Sequence, residues 1–176
     1  VESGIFQKIN LLEYRLRQMN NENFSRTHSD IQVLLPLIDA YIEIGSYEKA
    51  LKHLKQFEKL QVVAQNKYEL GIAYSRRGDI LRNTGHPRQA LIYYKKSLEG
   101  MHQLAQSNPE NIRYKNNLAV LYFKIGRLHQ NYLNEAEESI SNFEKSQTLW
   151  KEFVDVFPRI EGFRRNLEWV NAVLAE

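Results

Sequence analysis

The chain has 176 residues, 43% of them hydrophobic and 26% charged, which suffices for one domain with a continuous core and is too apolar for a disordered chain. Cysteine is absent, which excludes a disulfide framework, a thiolate nucleophile and a cysteine-based metal site, and no apolar run approaches the length that crosses a bilayer. The formal net charge of +3 is a mild excess, far below the Lys and Arg density of dedicated nucleic-acid binders; the absence of cysteine and of a spanning apolar run gives the expectation of a cytoplasmic protein with no membrane partner.

Helical periodicity runs through the whole sequence, with no stretch of period-2 alternation. Ile5, Ile9, Leu12, Leu16 and Met19 form one apolar stripe and predict a first helix over roughly residues 3–20. The polar Asn20-Asn21-Glu22-Asn23 then reads as a linker, so residues 1–28 form a capping helix with its linker and residues 29–176 the main domain. Ser29 or Asp30 is placed to cap the next helix, which ends at Gly45, where a residue without Cβ adopts the left-handed stop, and Pro36 inside that span either kinks the helix or makes it start later. Ser46 is the expected cap of the following helix. Gly85-His86-Pro87 closes one helix and opens another, with Pro87 in the first turn, where its missing N–H costs nothing. Asn108-Pro109-Glu110 repeats that start signal, Asn134-Glu135 offers a further cap, and Phe157-Pro158 closes the helix before the last. The result is about eight helices in antiparallel pairs. No Met precedes Val1, and no signal segment opens the sequence, so it reads as a piece of a longer protein or a processed chain.

Internal similarity says more than the helices do. Tyr93-Tyr-Lys-Lys-Ser97 aligns with Asn142-Phe-Glu-Lys-Ser146, Asn108-Pro109 with Phe157-Pro158, and Tyr114-Lys-Asn-Asn-Leu118 with Phe163-Arg-Arg-Asn-Leu167, all at an offset of about 49 residues. Tyr74-Ser-Arg-Arg-Gly78 aligns with Tyr122-Phe-Lys-Ile-Gly126 one residue short of that offset. These echoes mark a repeat protein.

The residues resemble the tetratricopeptide repeat family. Tyr74 and Gly78 fit the aromatic and small positions of a first helix, Gly85 the turn, and Ala90 and Tyr94 the second helix. Gly45-Ser-Tyr-Glu-Lys-Ala50 with Leu54 matches the turn and second helix of an earlier repeat, and Tyr122 with Gly126 matches a third. The resemblance covers roughly residues 30–176 and implies an all-α, right-handed α-solenoid of antiparallel helix pairs, with about three repeats and a C-terminal capping helix. The small residues, Gly78 and Ala90 above all, are expected where two helix backbones nearly touch. Three departures stand out. The spacing exceeds the roughly 34 residues usual for the family. The third turn has Leu133-Asn134 in place of Gly, with Ala136 or Ser139 as its small residue, and the first repeat has Ile38 where Gly is usual.

No catalytic constellation emerges. His28, His53, His86, His102 and His129 lack metal-ligand spacing, and the Walker, dinucleotide and nucleophile-elbow motifs are absent, so no enzyme activity, metal or cofactor is expected. Glu135-Ala-Glu-Glu138 reads as the negative first turn of a helix. In stacked hairpins the first helices line a concave face, and the register projects the partner-binding set onto Ile72, Arg76, Asp79 and Asn83 in the second repeat. In the third it gives Asn116, Val120, Lys124, Arg127 and Asn131, with Arg165 and Trp169 from the last helix. Arg, Lys and Asn in such a row suit a protein or peptide with an acidic or carboxylate-bearing segment. Leu35, Asp39 and Glu43 on the first repeat depart from the Lys/Asn clamp that some family members close on a terminal carboxylate. The expected function is therefore a protein-interaction scaffold, such as a docking or sensing part of a signalling protein. Nucleic-acid binding on the same face, or regulation of an enzyme whose catalytic part lies outside this chain, are the alternatives.

Overall fold

The computed structural model describes residues 2–21 and 26–175. Eight α-helices follow one another there: α1 (Glu2–Asn21), α2 (Arg26–Glu43), α3 (Tyr47–Val63), α4 (Lys67–Asn83), α5 (Pro87–Ser107), α6 (Ile112–Leu128), α7 (Ala136–Val156) and α8 (Glu161–Leu174). A π-turn over His129–Leu133 prolongs α6. Each helix packs on its neighbours in the chain, most extensively α4 on α5 and α6 on α7, so α2–α3, α4–α5 and α6–α7 are three helical hairpins. This is the all-helical, repeat-like stack expected. α2, α4 and α6 lie in one layer, tied to one another by side chains, and α3, α5 and α7 form the second layer.

Three apolar clusters make the core, and the first helices are shared between them. Ile9, Leu12 and Leu16 of α1 pack with Leu34, Leu37, Tyr41, Leu54 and Phe57, so one face of α1 covers the first hairpin. α4 gives Ala73 and Ile80 to that cluster and Ile72 to the next, which holds Tyr94, Met101, Leu121 and Ile125. α6 in turn gives Ala119 to a third cluster, with Phe143, Trp150, Phe153 and Val170. Each hairpin is thus buried by the one after it.

The repeat register survives in side-chain detail. The Ser97 hydroxyl donates to the Gly71 carbonyl at 2.7 Å, and the Ser146 hydroxyl to the Ala119 carbonyl at 2.7 Å, both fully buried. The Tyr94 ring lies over Gly78, and a Cβ on Gly126 would sit 2.7 Å from the Phe143 ring. These glycines make room for an aromatic ring, where a close approach of two backbones was expected. In the first hairpin Ile38 and Leu54 stand at the corresponding places, both fully buried in one cluster, so two aliphatic side chains of equal size replace the glycine and the ring.

The slip of one residue between the repeat offsets has a local cause. A π-turn carries one residue more per turn than an α-helix, and the extra residue falls between Gly126 and the start of α7. Ser139, buried and donating to the Gly126 carbonyl at 3.0 Å, takes the small position, whereas Ala136 is exposed.

Several cap assignments change. α2 begins at Arg26, ahead of Ser29 and Asp30, and runs through Pro36. Ser46 sits at the N-cap of α3, but its side chain makes no capping bond. α6 starts three residues beyond the Asn108-Pro109 signal, capped by Asn111, whose side-chain oxygen accepts from the Arg113 N–H. Of Asn134-Glu135, Glu135 holds the N-cap position of α7 without a side-chain capping bond, and Asn134 does not cap it. Asn134 occupies the left-handed conformation at φ 56°, taking the place that Gly45 and Gly85 hold in the earlier turns.

Candidate functional site

The layer of first helices is stitched by a ladder of ion pairs that follows the repeat. Asp39 of α2 accepts two hydrogen bonds from the Arg76 guanidinium of α4, at 2.9 and 3.0 Å. Asp79 of α4 accepts one from the Lys124 ammonium of α6 at 2.6 Å, and that ammonium also donates to the Ser75 hydroxyl at 3.0 Å. Asp39 and Asp79 stand at the same place before Gly45 and Gly85, and Arg76 and Lys124 at the same place before Gly78 and Gly126. Each rung therefore joins an acid on one first helix to a cation on the next. Tyr94 donates its hydroxyl to Asp79 at 2.7 Å, which anchors the second rung to the outer helix α5. Lower down, Asn117 of α6 donates to the Tyr68 hydroxyl of α4 at 3.1 Å.

This geometry fixes the electrostatics. Burial alone would pull the Arg76 guanidinium down, but the hydrogen bonds and charge of Asp39 override it, and the net shift is upward. Burial, reinforced by the charge of Asp79, lifts the Tyr94 phenol far above its ordinary range and keeps it a donor. Burial also raises the Glu69 carboxyl, against the opposing pull of Arg113 and Arg76. Arg76, Asp79 and Lys124 thus spend their charges on one another's helices, a use that single-helix reasoning does not see.

The other projected residues divide sharply. Ile72 is buried in the second apolar cluster, so it is not a surface contact. Val120 is half-buried against the third cluster. Asn116 is half-buried too, and its side-chain oxygen is enclosed with no hydrogen-bond partner among the described residues. Asn83 is exposed and accepts two bonds from Arg82 at 3.2 and 3.1 Å. Arg127 bonds only the Gln130 side chain, at 3.2 Å, and Asn131 is exposed beside it. Arg165 is exposed, with Glu161 3.9 Å away, and Trp169 is 58% exposed, leaving Trp150, Phe153 and Phe163 to close the core at that end.

One group of residues was missed by the projection. A cavity of about 290 Å³ opens between the last turns of α4 and α6, lined by Arg82, Phe123, Lys124, Arg127, Asn131 and Tyr132. Arg82 and Tyr132 do not fall on a straight helical row: Arg82 sits at the end of α4, and Tyr132 is placed by the π-turn. The extra residue in the third repeat was the only available signal for Tyr132. No group of three or more His, Asp or Glu side chains among the described residues is arranged to hold a metal ion, and no helix is long and apolar enough to cross a membrane.

Residues 72–99, from the middle of α4 through most of α5, match the tetratricopeptide repeat model. No curated protein matches the chain. The match covers the hairpin in which Gly78, Gly85, Ala90 and Tyr94 are all present, and it supports assignment to the tetratricopeptide-repeat family.

Proposed function

We propose that this chain, a tetratricopeptide-repeat protein, is a non-catalytic scaffold that holds a protein or peptide segment along the layer formed by α2, α4, α6 and α8. Tetratricopeptide repeats generally mediate protein–protein interaction. In a right-handed α-solenoid this layer is the concave side, where an extended segment touches successive first helices. The observation that carries the reading is the ladder. By pairing Asp39 with Arg76 and Asp79 with Lys124, it sets the first helices at fixed positions before any partner arrives, and preorganisation lowers the ordering cost of binding.

With those charges paired, Arg127, Asn131, Asn83, Arg165 and Trp169 are the groups left to meet a partner, Arg for its carboxylates and Asn for its backbone. Arg76, Asp79 and Lys124 act as supports beneath them. α1 caps the first hairpin, and the module serves as a docking or sensing part of a larger cytoplasmic signalling protein.

The test is capture from host lysate with three forms of the protein, each checked for helix content and unfolding midpoint. The wild type and an outer-layer variant, Lys55→Glu with Lys95→Glu, should retain the same protein. An Arg127→Glu, Trp169→Ala variant should lose it. Retention by the inner-layer variant with loss by the outer one would move the binding surface to α3, α5 and α7. Recovery of nucleic acid with a steep salt dependence would replace the scaffold reading by nucleic-acid binding.

A further inference from the structure

The ladder of the first helices breaks at its third rung, and the break is on the side of positive charge. Counting from Asp39 and Asp79, the next acid position falls on Arg127. Counting from Arg76 and Lys124, the next cation position falls on Val173 of α8. Where two rungs have a carboxylate reaching forward to a cation, the third has a guanidinium and no counter-charge. Arg82 of α4 lines the same cavity, and its guanidinium is bonded only to Asn83. Neither arginine is paired with a carboxylate among the described residues.

We infer that this cavity is a subsite for one carboxylate side chain of an acidic partner segment, which completes the third rung in place of the missing acid. The inference rests on the scaffold reading and names the chemistry of its principal contact. Arg82 is in the last turn of α4, where the negative end of the helix dipole favours a guanidinium, and Arg127 stands just before the π-turn that prolongs α6. Both keep N–H donors free, since each has a single neutral acceptor. A planar guanidinium meets a carboxylate with two parallel bonds, and two of them on opposite sides of the cavity bracket it. The Tyr132 ring, half-exposed on the π-turn, and the Phe123 ring supply apolar walls that exclude water from one side of that contact.

Lys124 also lines the cavity, but its charge is already held by Asp79, so the net excess at the site comes from the two arginines. A nucleic-acid backbone would need a continuous basic stripe. Here the carboxylates of Asp39 and Asp79, each held against a cation of the next first helix, interrupt one. Tyr132 lines a second hollow as well, of about 370 Å³, whose mixed lining includes His86, Pro87, Arg88, Gln89 and Leu133.

The experiment uses a fluorescein-labelled hexaglutamate peptide, amidated at its C-terminus, titrated against the whole chain at fixed low salt and followed by anisotropy. Wild type binds it, and Arg82→Gln with Arg127→Gln weakens binding by about tenfold or more, the loss of charge-assisted pairs. Lys55→Gln with Lys95→Gln removes the same charge from the outer layer and leaves the affinity within about twofold. Arg127→Lys keeps part of the affinity, because a point charge replaces the fork. The inference is overturned if wild type does not bind, if the outer-layer variant loses as much as the cavity variant, or if hexaglutamine amide binds equally well. Capture of a lysate partner that survives Arg82→Gln with Arg127→Gln, but not Trp169→Ala, would overturn the subsite and leave the scaffold standing.

Discussion

The first hairpin, α2–α3, and the two that follow solve one packing problem in two ways. In α4–α5 and α6–α7 a glycine on the first helix leaves space for an aromatic ring on the second, Gly78 for Tyr94 and Gly126 for Phe143. In α2–α3 the volumes are evened out, with Ile38 on the first helix and Leu54 on the second, both fully buried. The serine that bonds back to a carbonyl in the later hairpins, Ser97 and Ser146, has Phe57 as its counterpart in the first. What the repeat conserves is the register of the helices. The side-chain volume at the contact is divided differently, as glycine against a ring in two hairpins and as two aliphatic side chains of equal size in the other.

The sharpest way to break this comparison is to mix the two solutions. Gly78→Ile places a branched side chain where the Tyr94 ring lies and should cost about 3 kcal/mol in urea unfolding, the upper range of overpacking. Adding Tyr94→Leu copies the first hairpin and should restore a substantial part, so that the double variant is more stable than Gly78→Ile alone. If the two costs simply add, the matched aliphatic pair does not explain Ile38.

A smaller effect tests whether the later hairpins are equivalent inside. Ser97→Ala and Ser146→Ala each leave a buried carbonyl without its side-chain donor and should each cost about 1 kcal/mol, the two values agreeing within error. A large disagreement between them would show that the two interiors differ despite their matching register.

The first hairpin should also be the acid-sensitive one. Burial lowers the His53 pKa below its ordinary 6.5, with Lys52 and Lys49 adding to the shift and Glu13 opposing it, and the His53 Nδ1 is enclosed with no partner among the described residues. A base with a depressed folded pKa binds fewer protons in the native state than when unfolded. Its contribution is therefore unaffected above pH 6.5, and stability falls as the pH drops from there towards the folded pKa. The later hairpins have Tyr93 and Asn142 at that place. Hydrogen exchange between pH 7 and 5.5, corrected for intrinsic rates, should show α2 and α3 losing protection ahead of α6 and α7, and His53→Gln should flatten the difference. Tyr41, raised to about 12 and donating to Glu13, stays protonated throughout that range.

The turns give the smallest effect. Asn134 and Gln65 hold the left-handed conformation that Gly45 and Gly85 hold elsewhere. Gln65→Gly should stabilise by about 0.5 kcal/mol, and Asn134→Gly by less, because Asn tolerates that region better than Gln. A thermal-melting series of the two variants checks the order.

Much of this fold was legible in the sequence because helix periodicity, Gly45, Gly85 and Pro87 act locally. Gly78 and Gly126 could be placed by the repeat, although what they accommodate, a ring, could not. The cap at Ser29 or Asp30 failed because the helix signal continued upstream to Arg26, and Asn134 was misread because a left-handed Asn and a capping Asn look alike in sequence. The binding row was the least legible part. A helical wheel projects Arg76 and Lys124 outward, but their partners, Asp39 and Asp79, lie on another helix, and only the spacing between layers makes them meet. Ile72 failed for the converse reason, since a first helix in this stack buries two of its faces.

The central claim is that Arg76 and Lys124 hold the first helices together, in closed rungs that Arg127 lacks. A double-mutant cycle in urea on Asp79→Asn and Lys124→Met tests it most directly, beside the same cycle on Arg127→Met and Gln130→Ala. The account predicts a favourable coupling of about 1 kcal/mol for the half-buried Asp79–Lys124 pair and one near zero for Arg127 with Gln130. Zero coupling at Asp79–Lys124 would contradict it, returning Lys124 to the set of groups available for a partner.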